Sequence, residues 1–249
     1  MKILVALKQV LDTETKIKIA SDGKSVDLSD AKWITSPYDE YALEEALRLK
    51  EAKGAEVTAV SVGDDKTKTM LQSALALGVN NAVLLKSDNV GDPMVVAHTL
   101  AVFAKDKNFD LILLGNRSFG GDNACVGPAL AELLNVAQAT VVTKLEINDN
   151  TFRAEREGDA GTEIIEGKLP IVATAQRGLN EPRYASLKGI IAAKKKVIEE
   201  IETEFMEPLT TIVALDLPPA RPSGINIEGD AATQATTLLE LLRNETNLI

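Results

Sequence analysis

Four apolar runs, at residues 3–7, 56–62, 82–86 and 109–114, are too short to be helices across a core and too uniformly hydrophobic to be strands with one wet face. They read as strands buried on both sides. The segments between them have helical period and explicit punctuation. Ser36, Pro37 and Asp39 open a helix that carries Leu43, Ala46, Leu47 and Leu49 and closes at Gly54. A second helix runs from about Lys66 to Leu77 and stops at Gly78, and a third opens after Asp92 and Pro93. Such alternation builds right-handed βαβ units, so the chain is expected to be an α/β protein: a Rossmann-like parallel sheet with helices on both faces. The pair Asp22-Gly23, set between two short alternating runs, adds a hairpin to the first crossover.

The pattern changes after residue 138. Strands are expected at 139–147, 151–157, 162–166 and 171–176 with no helix between them, so they pair partly antiparallel at one edge of the sheet. The acidic run Glu199, Glu200, Glu202, Glu204 and Glu207 leads into a stretch with Pro208, Pro218, Pro219 and Pro222, which has the composition of an arm. A last amphipathic helix, about 231–243, carries Leu238, Leu239, Leu241 and Leu242 and either folds back or reaches a partner.

Composition removes several classes of function. The single cysteine, Cys125, and single histidine, His98, leave no multi-cysteine cluster and few metal options. His98 falls within an amphipathic helical pattern as a structural residue, and no nucleophile elbow accompanies it. A net charge of -10 argues against a nucleic-acid partner. No run approaches the roughly 18 apolar residues of a membrane span, and the opening MKILVALKQV turns polar too early for a signal peptide. An intracellular protein without membrane insertion is expected: bacterial cytoplasm, or mitochondrial matrix in a eukaryote.

Two segments carry functional signal. The strand FDLILL runs into GNRSFGGDNACVGPALAELL, and ligands of open α/β sheets bind at the carboxyl ends of strands. Gly120, Gly121 and Gly127 let backbone approach a ligand, and a helix expected from about Asn123, capped by Asp122, offers amides and a positive dipole end to a phosphate. The loop has neither GxGxxG nor the ending of a P-loop, so a plain glycine loop remains open. Cys125 within it reads as a small buried side chain. The second segment, LNEPRYASLKGIIAAKKK, holds five basic residues between Arg183 and Lys196 and no acidic one. Ser186 caps a helix of about 187–199, and Leu187 at its start either staples that helix to the domain or anchors a partner.

These pieces coincide with one family. The opening ILVALKQV, the helix SPYDEYALEEALRLKE, the turn AVSVGD, the glycine loop and above all LNEPRYASLKGIIAAKKK make the chain similar, over nearly its whole length, to the beta subunit of electron transfer flavoproteins, in their AMP-containing group. The resemblance implies a heterodimer whose alpha subunit holds the redox-active FAD, while this chain holds a structural AMP and has no catalytic residue or metal. It implies a nucleotide-binding domain at 1–183, then a recognition loop, helix and arm at 184–249 that embraces the alpha subunit. The AMP pocket then maps onto Ala6, Ser36, Pro37, Tyr38, Asp39 and Val62, together with the loop and helix residues Gly120, Gly121, Asp122, Asn123, Ala124, Cys125, Val126, Gly127, Leu130 and Ala131. Flavin dehydrogenases, such as those of acyl-CoA, would dock on Tyr184, Ala185, Ser186, Leu187 and Lys188, with electrons passing on to a quinone reductase. Asp12 and Thr13 match the approach to the flavin edge. Cys125 stands where the family often has Gln, and Ala160 where it usually has Gly or an acidic residue. Two other readings stay in view: a bifurcating relative with a second FAD, which typically has VPDT where this chain has VLDT and lacks NEPRY, and an ATP-using α/β enzyme.

Overall fold

The computed structural model describes residues 1–87, 90–204, 206–221 and 223–244; Pro222 lies outside the described residues. It forms two compact units, Met1–Val213 and Ala214–Ile249. In chain order the first contains β1 (Lys2–Ala6), β2 (Gln9–Leu11), β3 (Trp33–Thr35), α1 (Pro37–Lys53), β4 (Glu56–Gly63), a 3-10 turn, α2 (Lys68–Leu77), β5 (Asn81–Lys86), α3 (Pro93–Ala104) and β6 (Leu111–Gly115). There follow α4 (Val126–Leu134), β7 (Ala137–Asn148), β8 (Thr151–Gly158), β9 (Gly161–Lys168), β10 (Ile171–Ala175), α5 (Leu187–Ala193) and β11 (Glu199–Glu202). The second unit holds α6 (Ala231–Asn244), on which Leu238 and Leu239 are exposed.

The main sheet has the order β11-β5-β4-β1-β6-β10-β7-β8-β9. Pairing is parallel from β11 through to β7 and antiparallel in β7–β8–β9. The uniformly apolar runs are buried on both sides because they divide their residues between two cores. Ile3 and Val5 of β1 face α1 and α2, whereas Leu4 and Ala6 face α3 and α4. The helix punctuation works as expected at several ends. Pro37 and Pro93 open α1 and α3, Asp92 accepts a hydrogen bond from Met94 N at 2.7 Å, and Gly54 ends α1 in the left-handed region. The Asp22-Gly23 turn forms, but it joins only the isolated bridge Ile19–Val26; the ladder in this crossover is β2 against β3.

Three features depart from expectation. The fourth strand of the late group, β10, enters between β6 and β7 as a central parallel strand, so only β8 and β9 lie beyond β7 at that edge. The helix from Leu187 stops at Ala193 rather than near 199. Beyond it the acidic run is not all arm, since Glu199–Glu202 forms the edge strand β11 beside β5. Its ladder is reinforced by Glu200, whose carboxylate lies 2.8 Å from both Lys68 Nζ and Lys86 Nζ and is held at about 2 by those partners.

Candidate functional site

A cavity of about 790 Å³, including its open mouth, lies at the carboxyl ends of β1, β4 and β6. Its apolar wall comes from Ala6, Val60, Val62, Val96, Leu100 and Leu114, and its polar rim from Lys8, Ser61, Asn116, Ser118 and Asn123. The glycine loop closes one side. Gly120, Asp122 and Ala124 all have positive φ, so the chain curls before α4 begins at Val126. Gly127 is required in the first turn of α4: a Cβ there would lie 2.3 Å from Thr174 Cγ2. Close packing on the tip of β10 thus brings that turn, whose leading amides have no helical acceptor, to the cavity wall.

Asp39 ties the floor of the site together. Its carboxylate accepts Lys8 N at 2.7 Å and Gly115 N at 2.8 Å, linking the tips of β1 and β6 through the first turn of α1. Lys8 Nζ donates to Ser118 Oγ at 3.3 Å and so reaches from β1 to the glycine loop. Burial lowers the Lys8 pKa, while the charge of Asp39 opposes that shift.

The structure brings Ala6, Asp39, Val62, Asn123, Ala124, Cys125, Val126 and Gly127 to the cavity lining. The other mapped residues surround it without lining it. Ser36 is fully buried beneath the loop, where its Oγ accepts Phe119 N at 3.4 Å, and Pro37 starts α1. Tyr38 turns its hydroxyl to Arg117 Nη2 at 2.9 Å. Gly120 and Gly121 are exposed, and Leu130 and Ala131 pack in the core beneath α4. Asp122 does not cap α4; the N-cap position belongs to Cys125, and Asp122 pairs with Arg117 at 3.5 Å. A carboxylate that would repel a phosphate is thereby drawn to a guanidinium. Asp12 and Thr13 follow β2 and lie outside the cavity lining. His98 is half-buried on α3, and the described residues contain no group of three or more possible metal ligands.

The basic segment is held to the same body. Arg183 pairs with Glu44 and Glu51 of α1, Asn180 donates to Tyr41 O and Glu45 Oε2 at 3.0 Å, and Ser186 Oγ accepts Gly189 N at 3.1 Å. Tyr184 is nevertheless 97% exposed and Leu187 75% exposed. At the far end of the segment Lys196 Nζ donates to Val79 O at 2.7 Å.

A family model described as an electron transfer flavoprotein domain matches residues 25–205. The chain is 43% identical to the electron transfer flavoprotein subunit beta of Bacillus subtilis (strain 168), with 100% of each chain covered. It is 38% identical to that of Syntrophomonas wolfei, covering 98% of this chain and 96% of the relative. With the Homo sapiens subunit beta the identity is 36%, over 92% and 93% of the two chains. The chain belongs to the electron transfer flavoprotein family. It is therefore an electron-transport flavoprotein chain of the beta-subunit type, and among its described residues no helix is long and apolar enough to cross a membrane.

Within this electron transfer flavoprotein fold, sequence reasoning missed Lys8, Ser61, Asn116 and Ser118 as parts of the site. The available signal was position, since Lys8 and Asn116 lie within two residues of the ends of β1 and β6, and ligands of open α/β sheets bind at the carboxyl ends of strands. The role of Asp39 also has a pH signature. Burial pushes its carboxyl up to about 7, against the two amide hydrogen bonds and the Lys8 charge. In the unfolded chain an aspartate titrates near ~3.9, so folding favours the protonated form. Its contribution to stability is fully present below about pH 4 and is lost as the pH rises through about 7. Carbon-13 carboxyl NMR should find Asp39 titrating near neutrality, and Asp39→Asn should flatten the decline in stability across that window.

Proposed function

We propose that this chain is the AMP-holding beta subunit of a heterodimeric electron transfer flavoprotein, with the redox FAD carried mainly by an alpha subunit. Its work is to support that flavin and to dock flavin dehydrogenases whose electrons pass on to a quinone reductase. The chain acts as a carrier subunit and performs no chemistry of its own. The observation that carries the docking reading is the exposure of Tyr184 and Leu187 on a segment otherwise fastened to α1. An AMP base would lie against Ala6, Val60, Val62 and Leu114, and its phosphate against the leading amides of α4 with Lys8 nearby. The segment 184–249, with the exposed leucines of α6, supplies surface for embracing the alpha subunit.

Two alternatives make different demands. A bifurcating subunit would place a second FAD at the cavity, and an ATP-using enzyme would turn over ATP without a partner. The test is to mix the purified heterodimer with an acyl-CoA dehydrogenase reduced by its acyl-CoA and follow the flavin absorbance. Reduction of the heterodimer flavin supports the carrier reading. Reduction by NADH instead favours bifurcation, and ATP hydrolysis by the isolated chain favours the enzyme.

A further inference from the structure

We propose that Arg183 is the positioning residue of the docking segment, holding residues 184–188 in one presentation so that Tyr184 and Leu187 meet a flavin dehydrogenase already ordered. The inference rests on the docking reading above. Arg183 is the last residue before the exposed stretch, and its guanidinium is used as a fork. Its Nε donates to Glu44 Oε2 at 2.8 Å and its Nη2 to Glu44 Oε1 at 2.9 Å. The far side of the fork reaches Glu51, with Nη2 3.1 Å from Oε2 and Nη1 on Oε1. Glu44 and Glu51 lie two helical turns apart on α1, so the planar side chain fixes both the height and the direction in which the segment leaves the helix.

The other end of the segment is fixed independently. Ser186 caps α5, and Gly189 passes so close to α2 that a Cβ there would lie 2.3 Å from Ala76 O. Lys196 then binds the carbonyl of Val79 beyond the end of α2. Between these two moorings Tyr184 and Leu187 stay exposed. The arrangement suits brief encounters. An anchor held in its bound conformation loses little freedom on docking, so a small contact can still be productive. It also reassigns a charge: Arg183 is neutralised by two carboxylates and contributes little to any steering field of the basic segment.

The test compares wild-type heterodimer with Arg183→Gln, Arg183→Lys, Glu51→Gln and Leu187→Ala, using acyl-CoA dehydrogenase reduced by its acyl-CoA and varying the heterodimer concentration. Arg183→Gln should raise the KM for the heterodimer about tenfold with kcat little changed, because ordering is then required at each encounter. Amide exchange of residues 184–188 should accelerate while α1 stays protected and both nucleotides stay bound. Arg183→Lys should recover part of the loss, since an ammonium cannot span both carboxylates, and Glu51→Gln should give a smaller effect in the same direction. An unchanged KM in Arg183→Gln, with a raised KM in Leu187→Ala, would overturn the positioning role. An unchanged KM in both would instead remove the docking reading on which it rests. Loss of nucleotide or a general rise in exchange in Arg183→Gln and Glu51→Gln alike would reduce Arg183 to a fold-stabilising residue and also refute the proposal.

Discussion

Leu187→Ala leaves the heterodimer assembled with both nucleotides and weakens its productive encounter with a flavin dehydrogenase by about tenfold to a hundredfold. The magnitude follows from burial: a leucine moved from water into an apolar pocket contributes about 1.5–3 kcal/mol, and each ~1.4 kcal/mol is a factor of ten. The fold is spared because Leu187 is 75% exposed and its neighbours in the structure are moored by Arg183 and Ser186. Steady-state reduction by the dehydrogenase at varied heterodimer concentration measures the effect, with direct chemical reduction of the flavin as control. A variant with wild-type KM would mean that Leu187 only staples α5 to its own domain.

Gly115→Ala acts at the proposed nucleotide site. A Cβ at Gly115 would lie 2.6 Å from Asp39 Oδ1 and from Tyr38 Cβ, and 2.8 Å from the Asp39 backbone nitrogen. Because backbone and a buried carboxylate cannot swing aside as a flexible tip can, the first turn of α1 must move off the end of β6. Overpacking of this kind costs about 1–3 kcal/mol, and here it also breaks the Asp39 link between Lys8 N and Gly115 N. The expected outcome is a folded chain, reduced in melting temperature, that purifies without AMP. Retention of stoichiometric AMP would show that the clamp between β1 and β6 does not shape the pocket.

The parts legible in the sequence are those governed by local chemistry. The runs at residues 3–7 and 109–114 had to be strands buried on both faces, and Pro37, Pro93 and Gly54 marked helix ends that local φ preferences enforce. The element β11 was hidden because Glu199–Glu202 has almost no apolar content; what makes it a strand is the ladder to β5 and the distant cations Lys68 and Lys86. The central place of β10 was hidden for a related reason, since a strand buried on both faces does not say which neighbours it joins. At the site, the glycines marked a loop before α4, but that Gly127 is needed for packing against Thr174 of β10 is a tertiary fact, and Lys8 matters only once β1 is laid beside β6. Asp39 was legible as an acid suited to a helix start; that its carboxylate joins two strand tips is a tertiary fact.

The most direct measurement is the nucleotide inventory of the heterodimer: co-express the chain with its alpha subunit, purify the complex, denature it and quantify what is released. One FAD and one AMP per heterodimer is the predicted result. Two FAD and no AMP would contradict it.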